Sequence, residues 1–199
     1  MKSTILLSSL ALFAISLQAA VSSGSQAPDF TLTDTQGNTH SLSDFSGSYV
    51  VLEWTNHQCP FVVKHYSEGH MQALQEAMVD EGVVWLQIVS SAPGKQGYVT
   101  PEEGEALREE HGHQSTAMLL DPDGKVGRLY DARTTPHMYL IDPEGTLIYQ
   151  GAIDSVKSVR ASDIEGATNY MKAAYKAHRK GETVDPSETT AYGCSVKYP

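Results

Sequence analysis

The run Tyr49-Val50-Val51-Leu52-Glu53-Trp54 constrains the fold most. It is almost continuously apolar and rich in β-branched residues, the pattern of a strand buried on both faces. Such a strand needs covering layers above and below it, so the chain must place helices on both sides of a sheet. Val83 to Val89 repeats the pattern, and Ala117 to Leu120 supplies a third short strand closed by the turn Asp121-Pro122-Asp123-Gly124. His137 to Ile141 and Thr146 to Tyr149 flank Asp142-Pro143-Glu144-Gly145 and read as a hairpin. Asp29 to Thr33 and Asn38 to Leu42 form a smaller hairpin around Gln36-Gly37.

Helical signals fall between these strands. A helical stretch from Cys59-Pro60 to about Asp80, with a break near Gly69, carries Met71, Leu74 and Met78 at helical spacing. Thr100-Pro101-Glu102-Glu103 sets a capping residue, a first-turn proline and a third-position glutamate, which predicts a helix ending at Gly112. The last helix is predicted over Ala161 to Lys180, with Lys176, Arg179 and Lys180 at its negative end and Gly181 beyond. Residues 182–199 read as an irregular tail. The whole is an α/β chain with a mixed central sheet flanked by helices.

Residues 1–20 have the three parts of a secretory signal peptide: a basic start at Lys2, an apolar run from Ile5 to Leu17, and small residues at Ala19-Ala20. The expected layout is a signal peptide over 1–20, a folded domain over 21–181 and the tail over 182–199, with export to the periplasm or beyond. Thirteen apolar residues reach only ~20 Å as a helix, short of a ~30 Å hydrocarbon core, so an integral membrane protein is not expected. Lys plus Arg number 14 against 24 acids, a net charge of −10, which argues against nucleic acid as a partner. Two cysteines among 199 residues exclude a disulfide scaffold and a four-sulfur zinc site.

Cys59 sits where the first buried strand gives way to a helix, after the link Thr55-Asn56-His57-Gln58 and before Pro60. Unpaired amides there favour an anion, and helix N-terminal thiols titrate at roughly 3.5–7.5 rather than ~8.5. Position therefore argues for a reactive thiolate, against the alternative of an inert buried thiol. His57 would stabilise that thiolate if protonated. His57, His65 and His70 near Cys59 raise a metal reading, but only two ligands converge by local spacing where zinc or copper needs three or four. No metal and no cofactor are expected. Ser90 to Gly97 reads as a flexible loop beside a substrate cleft.

The segment Trp54-Thr55-Asn56-His57-Gln58-Cys59-Pro60-Phe61, with Thr134-Thr135-Pro136-His137, resembles the redoxin group of the thioredoxin superfamily, near the AhpC/TSA proteins. The likeness runs from about Ala27 to Asp154, and the closing Gly193-Cys194-Ser195-Val196-Lys197-Tyr198 is similar to the end of a subset of secreted redoxin-like proteins. It implies a thioredoxin-like fold, with Trp54, Thr55, His57, Pro60, Thr135 and a cis Pro136 shaping the site. Two positions depart from the family patterns. Leu52 and Asn56 stand where peroxiredoxins carry Pro and Thr/Ser, and Asn56 stands where thioredoxins carry the first cysteine of Cys-x-x-Cys.

The resemblance implies a thiol peroxidase: Cys59 attacks a peroxide, Cys194 resolves the sulfenic acid, and Asn56 and Arg133 stabilise developing charge. Its partners are a peroxide or small thiol/disulfide substrate and an external thiol reductant. Thiol–disulfide exchange with proteins, and a non-catalytic binding protein with a structural Cys59–Cys194 bridge, stand as alternatives. Cys194 is correspondingly open between resolving cysteine, permanent staple, interchain link and bystander.

Overall fold

The computed structural model describes residues 21–199, so the signal-peptide reading lies outside the described residues. Seven strands form one mixed sheet. In chain order they are β1 (Thr31–Asp34), β2 (Thr39–Ser41), β3 (Val50–Trp54), β4 (Val84–Val89), β5 (Ala117–Leu120), and, after a two-residue β6 (Thr134–Thr135) outside this sheet, β7 (His137–Ile141) and β8 (Leu147–Gly151). Their spatial order is β2-β1-β5-β4-β3-β7-β8. β3 is central, parallel to β4 and antiparallel to β7, with Trp54 opposite Ile88 and His137. The fold is thioredoxin-like α/β, as expected.

Alternation along each central strand divides the core into two layers. Leu52 and Trp54 of β3, Leu86 and Ile88 of β4 and Tyr139 of β7 face one layer, with Phe30, Val126 and Tyr130. Val51, Trp85, Met138 and Leu140 face the other. Helices α2 (His70–Asp80) and α5 (Tyr170–Arg179) cover that second layer with Met71, Leu74 and Met78 and with Met171, Ala174 and Tyr175. Helix α3 (Pro101–Glu110) begins at the expected capping box, where Thr100 Oγ1 accepts from the Glu103 amide and Glu103 accepts from the Thr100 amide.

The break expected near Gly69 is present, and two other expectations are corrected. The stretch after Cys59 is two helices, α1 (Pro60–Tyr66) and α2, divided where Gly69 takes φ +77°, a conformation other residues rarely adopt. The last helix starts at Tyr170, not Ala161, because Asn169 caps it by accepting from the Lys172 amide. Residues 161–163 form only a 3₁₀ turn. A five-residue helix, α4 (Lys125–Leu129), follows the Asp121 turn where no helix was expected; it is too short to show a periodic pattern.

The tail is not irregular throughout. Cys194–Ser195 forms a strand, β9, paired antiparallel with β6, so Cys194 lies opposite Thr135. Among the described residues, no helix is long and apolar enough to cross a membrane.

Candidate active site

The site is built from the end of β3 outward. Asn56 makes the turn: its Oδ1 accepts from the Gln58 amide at 2.9 Å, its backbone oxygen accepts from the Cys59 amide at 2.9 Å, and its Nδ2 donates to Gln96 O at 3.3 Å. A side chain on Gly97 would collide with the Asn56 amide. Asn56 thus joins two loops through one side-chain donor and one side-chain acceptor. These bonds give Asn56 a part in local scaffolding.

Cys59 caps α1, with Pro60 at the first helical position and the amides of Val62 and Val63 both donating to Cys59 O at 2.9 Å. Its side chain is fully buried. As a thiol, Cys59 donates to Thr135 O at 3.1 Å, and its sulfur lies 2.7 Å from the sulfur of Cys194; both cysteines are free. The Thr135–Pro136 bond is cis. Thus the cis-proline loop and the tail strand together close over one sulfur.

The two thiols are electrostatically unlike. Burial works against a Cys59 anion, yet hydrogen bonds from the Cys194 side chain and amide, from Thr135 and from the Val62 amide hold it below the ordinary thiol value. Burial first, then the adjoining Cys59, pushes Cys194 up to about 11, with Lys197 opposing. Helix α1 has only seven residues, so nearby amides rather than a long dipole favour the thiolate. One sulfur is poised as the anion and the other as the proton carrier.

Tail contacts hold this arrangement on both sides. Before Cys194, Tyr192 donates to Asp154 Oδ1, and Asp154 Oδ2 accepts from the buried Lys64 Nζ at 2.9 Å. Lys64 also donates to Val156 O at 2.9 Å. After Cys194, the Val196 amide donates to Arg133 O at 3.0 Å, the Ala92 amide to Lys197 O at 2.9 Å, and Tyr198 Oη to Ala132 O at 2.6 Å. The loop expected to be flexible thereby anchors the tail, with Ser90, Ser91 and Ala92 all buried. Lys64, Asp154 and Tyr192 were not singled out from sequence as site residues. They lie far apart in the chain and carry no shared spacing.

The remaining sequence candidates are distributed around this centre. Trp54 packs against Tyr130 and Tyr139 and donates to Ser90 Oγ at 3.0 Å, holding the floor under the tail-binding loop. Thr55 pairs with Ile88 O and, with His57, lines a mostly apolar cleft of about 140 Å³ beside Val62, Val63 and Met118. Burial keeps His57 below its ordinary value, which works against a cationic role beside the thiolate. Arg133 does not face the sulfur: its guanidinium is 76% exposed and paired with Asp131 at 2.6 Å. Only its backbone serves the site, through Val196. Among the described residues, no three His, Cys, Asp or Glu side chains are grouped to hold a metal ion.

The AhpC/TSA family profile matches residues 23–150. The chain belongs to the AhpC/TSA family. Among curated proteins, it is similar to the thiol-disulfide oxidoreductase ResA of Bacillus subtilis, 27% identical over 136 residues, which is 65% of this chain and 66% of ResA. The chain thus spans just under two thirds of that relative's length. Two solved structures match more of the chain. An uncharacterized conserved protein from Geobacillus kaustophilus has a TM-score of 0.78 and 29% identity, covering 89% of this chain and 93% of that one. The hypothetical protein SMc02350 from Sinorhizobium meliloti has a TM-score of 0.76 and 26% identity, covering 91% and 97%.

Proposed function

We propose that this AhpC/TSA protein is an exported thiol–disulfide oxidoreductase in which Cys59 and Cys194 are one dithiol/disulfide pair. One observation carries the reading: the tail strand sets Cys194 against Cys59, sulfur to sulfur at 2.7 Å, and the two thiols are pushed in opposite directions. From sequence alone, the missing Cys-x-x-Cys left no second sulfur to release a mixed disulfide. Cys194 fills that need from 135 residues away. The similarity to ResA favours the same chemistry.

In the exchange, a substrate thiolate attacks one sulfur of the protein disulfide, and the other sulfur leaves as a thiolate. A second substrate thiol then attacks the mixed disulfide, leaving a substrate disulfide and a protein dithiol. Run backwards, the same steps reduce a substrate disulfide. An external thiol or disulfide resets the pair.

Peroxide reduction would use the same two sulfurs. It has less support from the side chains, since Asn56 already bonds Gln58 and Gln96 and Arg133 turns to Asp131 in solvent. The test is a titration of the reduced protein with glutathione disulfide, followed by intact mass. Loss of two hydrogens, restored by dithiothreitol and absent in Cys194→Ser, is the expected result. If glutathione disulfide leaves both thiols free while hydrogen peroxide joins them promptly, the peroxidase reading replaces this one. A bridge that withstands dithiothreitol in the native protein would make the pair a staple.

A further inference from the structure

Resting on the exchange reading, we propose that Cys194, the tail cysteine, is the sulfur that meets the substrate, while Cys59 is the buried partner that departs and returns. The argument starts from access. Cys59 is 0% exposed, enclosed by Thr135, α1 and the tail itself, whereas Cys194 is only half-buried. Displacement at a disulfide sulfur requires the incoming thiolate, the attacked sulfur and the leaving sulfur to approach a line. A thiolate arriving from solvent reaches the half-buried Cys194 before the fully buried Cys59.

Exposing Cys59 would require the tail to lift. That movement breaks contacts on both flanks of Cys194: Tyr192 with Asp154, Val196 with Arg133, Lys197 with Ala92, and Tyr198 with Ala132. Gly193 adds a steric seat, because its backbone at φ +151° presses on Thr135 O so closely that any side chain would collide. Attack at Cys194 needs none of these to break. The backbone around Cys59 also suits departure: the amides of Val62 and Cys194 remain beside its sulfur when the bond opens. A thiol whose anion is stabilised leaves faster. Lys197, next to the tail strand, supplies a cation that favours an approaching thiolate.

The steps balance. A substrate thiolate forms a bond to Cys194 Sγ, and the Cys194–Cys59 bond breaks with its electron pair on Cys59. A second substrate thiolate then attacks the substrate sulfur of the mixed disulfide, and Cys194 leaves and takes up a proton. Two substrate thiols have become a disulfide, and the protein pair has gained two electrons and one proton, with Cys59 left as the thiolate and the second substrate proton released to solvent. Glutathione disulfide restores the protein disulfide by the reverse exchange. The substrate class is accordingly a free thiol, with the protein as its oxidant.

The experiment uses the oxidised full chain with limiting glutathione, acid-quenched at early times and mapped by peptide mass. Glutathione is expected on Cys194, with Cys59 recovered as a free thiol. Glutathione on Cys59, with Cys194 free, overturns the proposal while leaving the exchange reading intact. A disulfide that glutathione and dithiothreitol cannot open overturns both. A second arm uses Tyr192→Phe, which removes the bond from the tail to Asp154. Disulfide opening at an unchanged or lower rate supports attack without tail movement; a several-fold acceleration shows that the tail must lift and sinks the proposal.

Discussion

Helix α1 carries a buried polar cluster on each of two flanks, and the two are built differently. On one side, Tyr66 donates to both oxygens of Glu53 at 2.7 and 3.0 Å, joined by Trp85 Nε1 at 2.8 Å and Gln75 Nε2 at 3.2 Å. Gln87 and His113 extend this cluster, whose members all lie between residues 53 and 115. On the other side, Lys64 pairs with Asp154, and Tyr192 closes over them from the tail. The first cluster meets a buried acid with neutral donors and fixes α1 on the sheet. The second meets a buried cation with an acid and fixes the tail on α1. Fold and site are therefore held by separate sets of bonds that share one short helix.

Acid should erode both clusters, and this is the largest effect expected. Burial, as the first cause, lowers His65 to about 4 on the tail side and His113 to about 4 on the sheet side. Each is neutral when folded but takes up a proton near 6.5 when unfolded. Between those values the unfolded state binds more protons, so stability is present above pH 6.5 and is lost as pH falls towards 4. At 1.36 kcal/mol per pH unit, the loss is roughly 3 kcal/mol at most for each histidine. Glu53 opposes this, since burial raises its pKa and stability falls as pH climbs above about 4.5. Denaturant midpoints measured from pH 4 to 7 in Glu53→Gln, where the opposing acid is gone, should rise with pH, and a flat profile there would mean that neither histidine is buried as described.

A mutation can separate what acid does not. Asp154→Ala leaves the Lys64 ammonium buried beside only Val156 O and Tyr192 Oη, a change of about 3–5 kcal/mol for a broken buried pair. It should also free the tail, so native-state alkylation of Cys59 accelerates. Glu53→Gln is the control: it places an amide NH₂ against donors and costs about 1–3 kcal/mol, but leaves the tail in place. Cys59 should then alkylate as slowly as in the parent. Equal alkylation rates in the two variants would remove the distinction between the clusters.

The same division governs what could be read from the chain. β3, β4 and β7 announce themselves because burial on both faces needs long apolar runs, and Cys59-Pro60 marks the helix start because proline fits there without losing a bond. Capping at Thr100 is equally local. The tail side has no such signal. β9 is two residues long, Tyr192 and Asp154 lie 38 residues apart, and Lys64 looks like any solvated lysine until its stem is enclosed. The cis Pro136 followed from a resemblance and not from composition. Local rules found one sulfur of the pair; tertiary contacts decided where the other went.

Arg133 marks the boundary between those two kinds of information. Its place three residues before the cis proline made it a candidate cation for Cys59, and its backbone does reach the site through the Val196 amide. Its side chain turns away to Asp131 in open solvent, where an ion pair is screened and contributes little. Arg133→Ala should therefore leave the β6–β9 pairing, the thermal midpoint and the pH at which Cys59 becomes alkylatable all unchanged. That is the smallest effect expected of any change near the site. A rise in the Cys59 titration midpoint of a full pH unit would return Arg133 to the thiolate, and with it the case for a peroxide-binding cation.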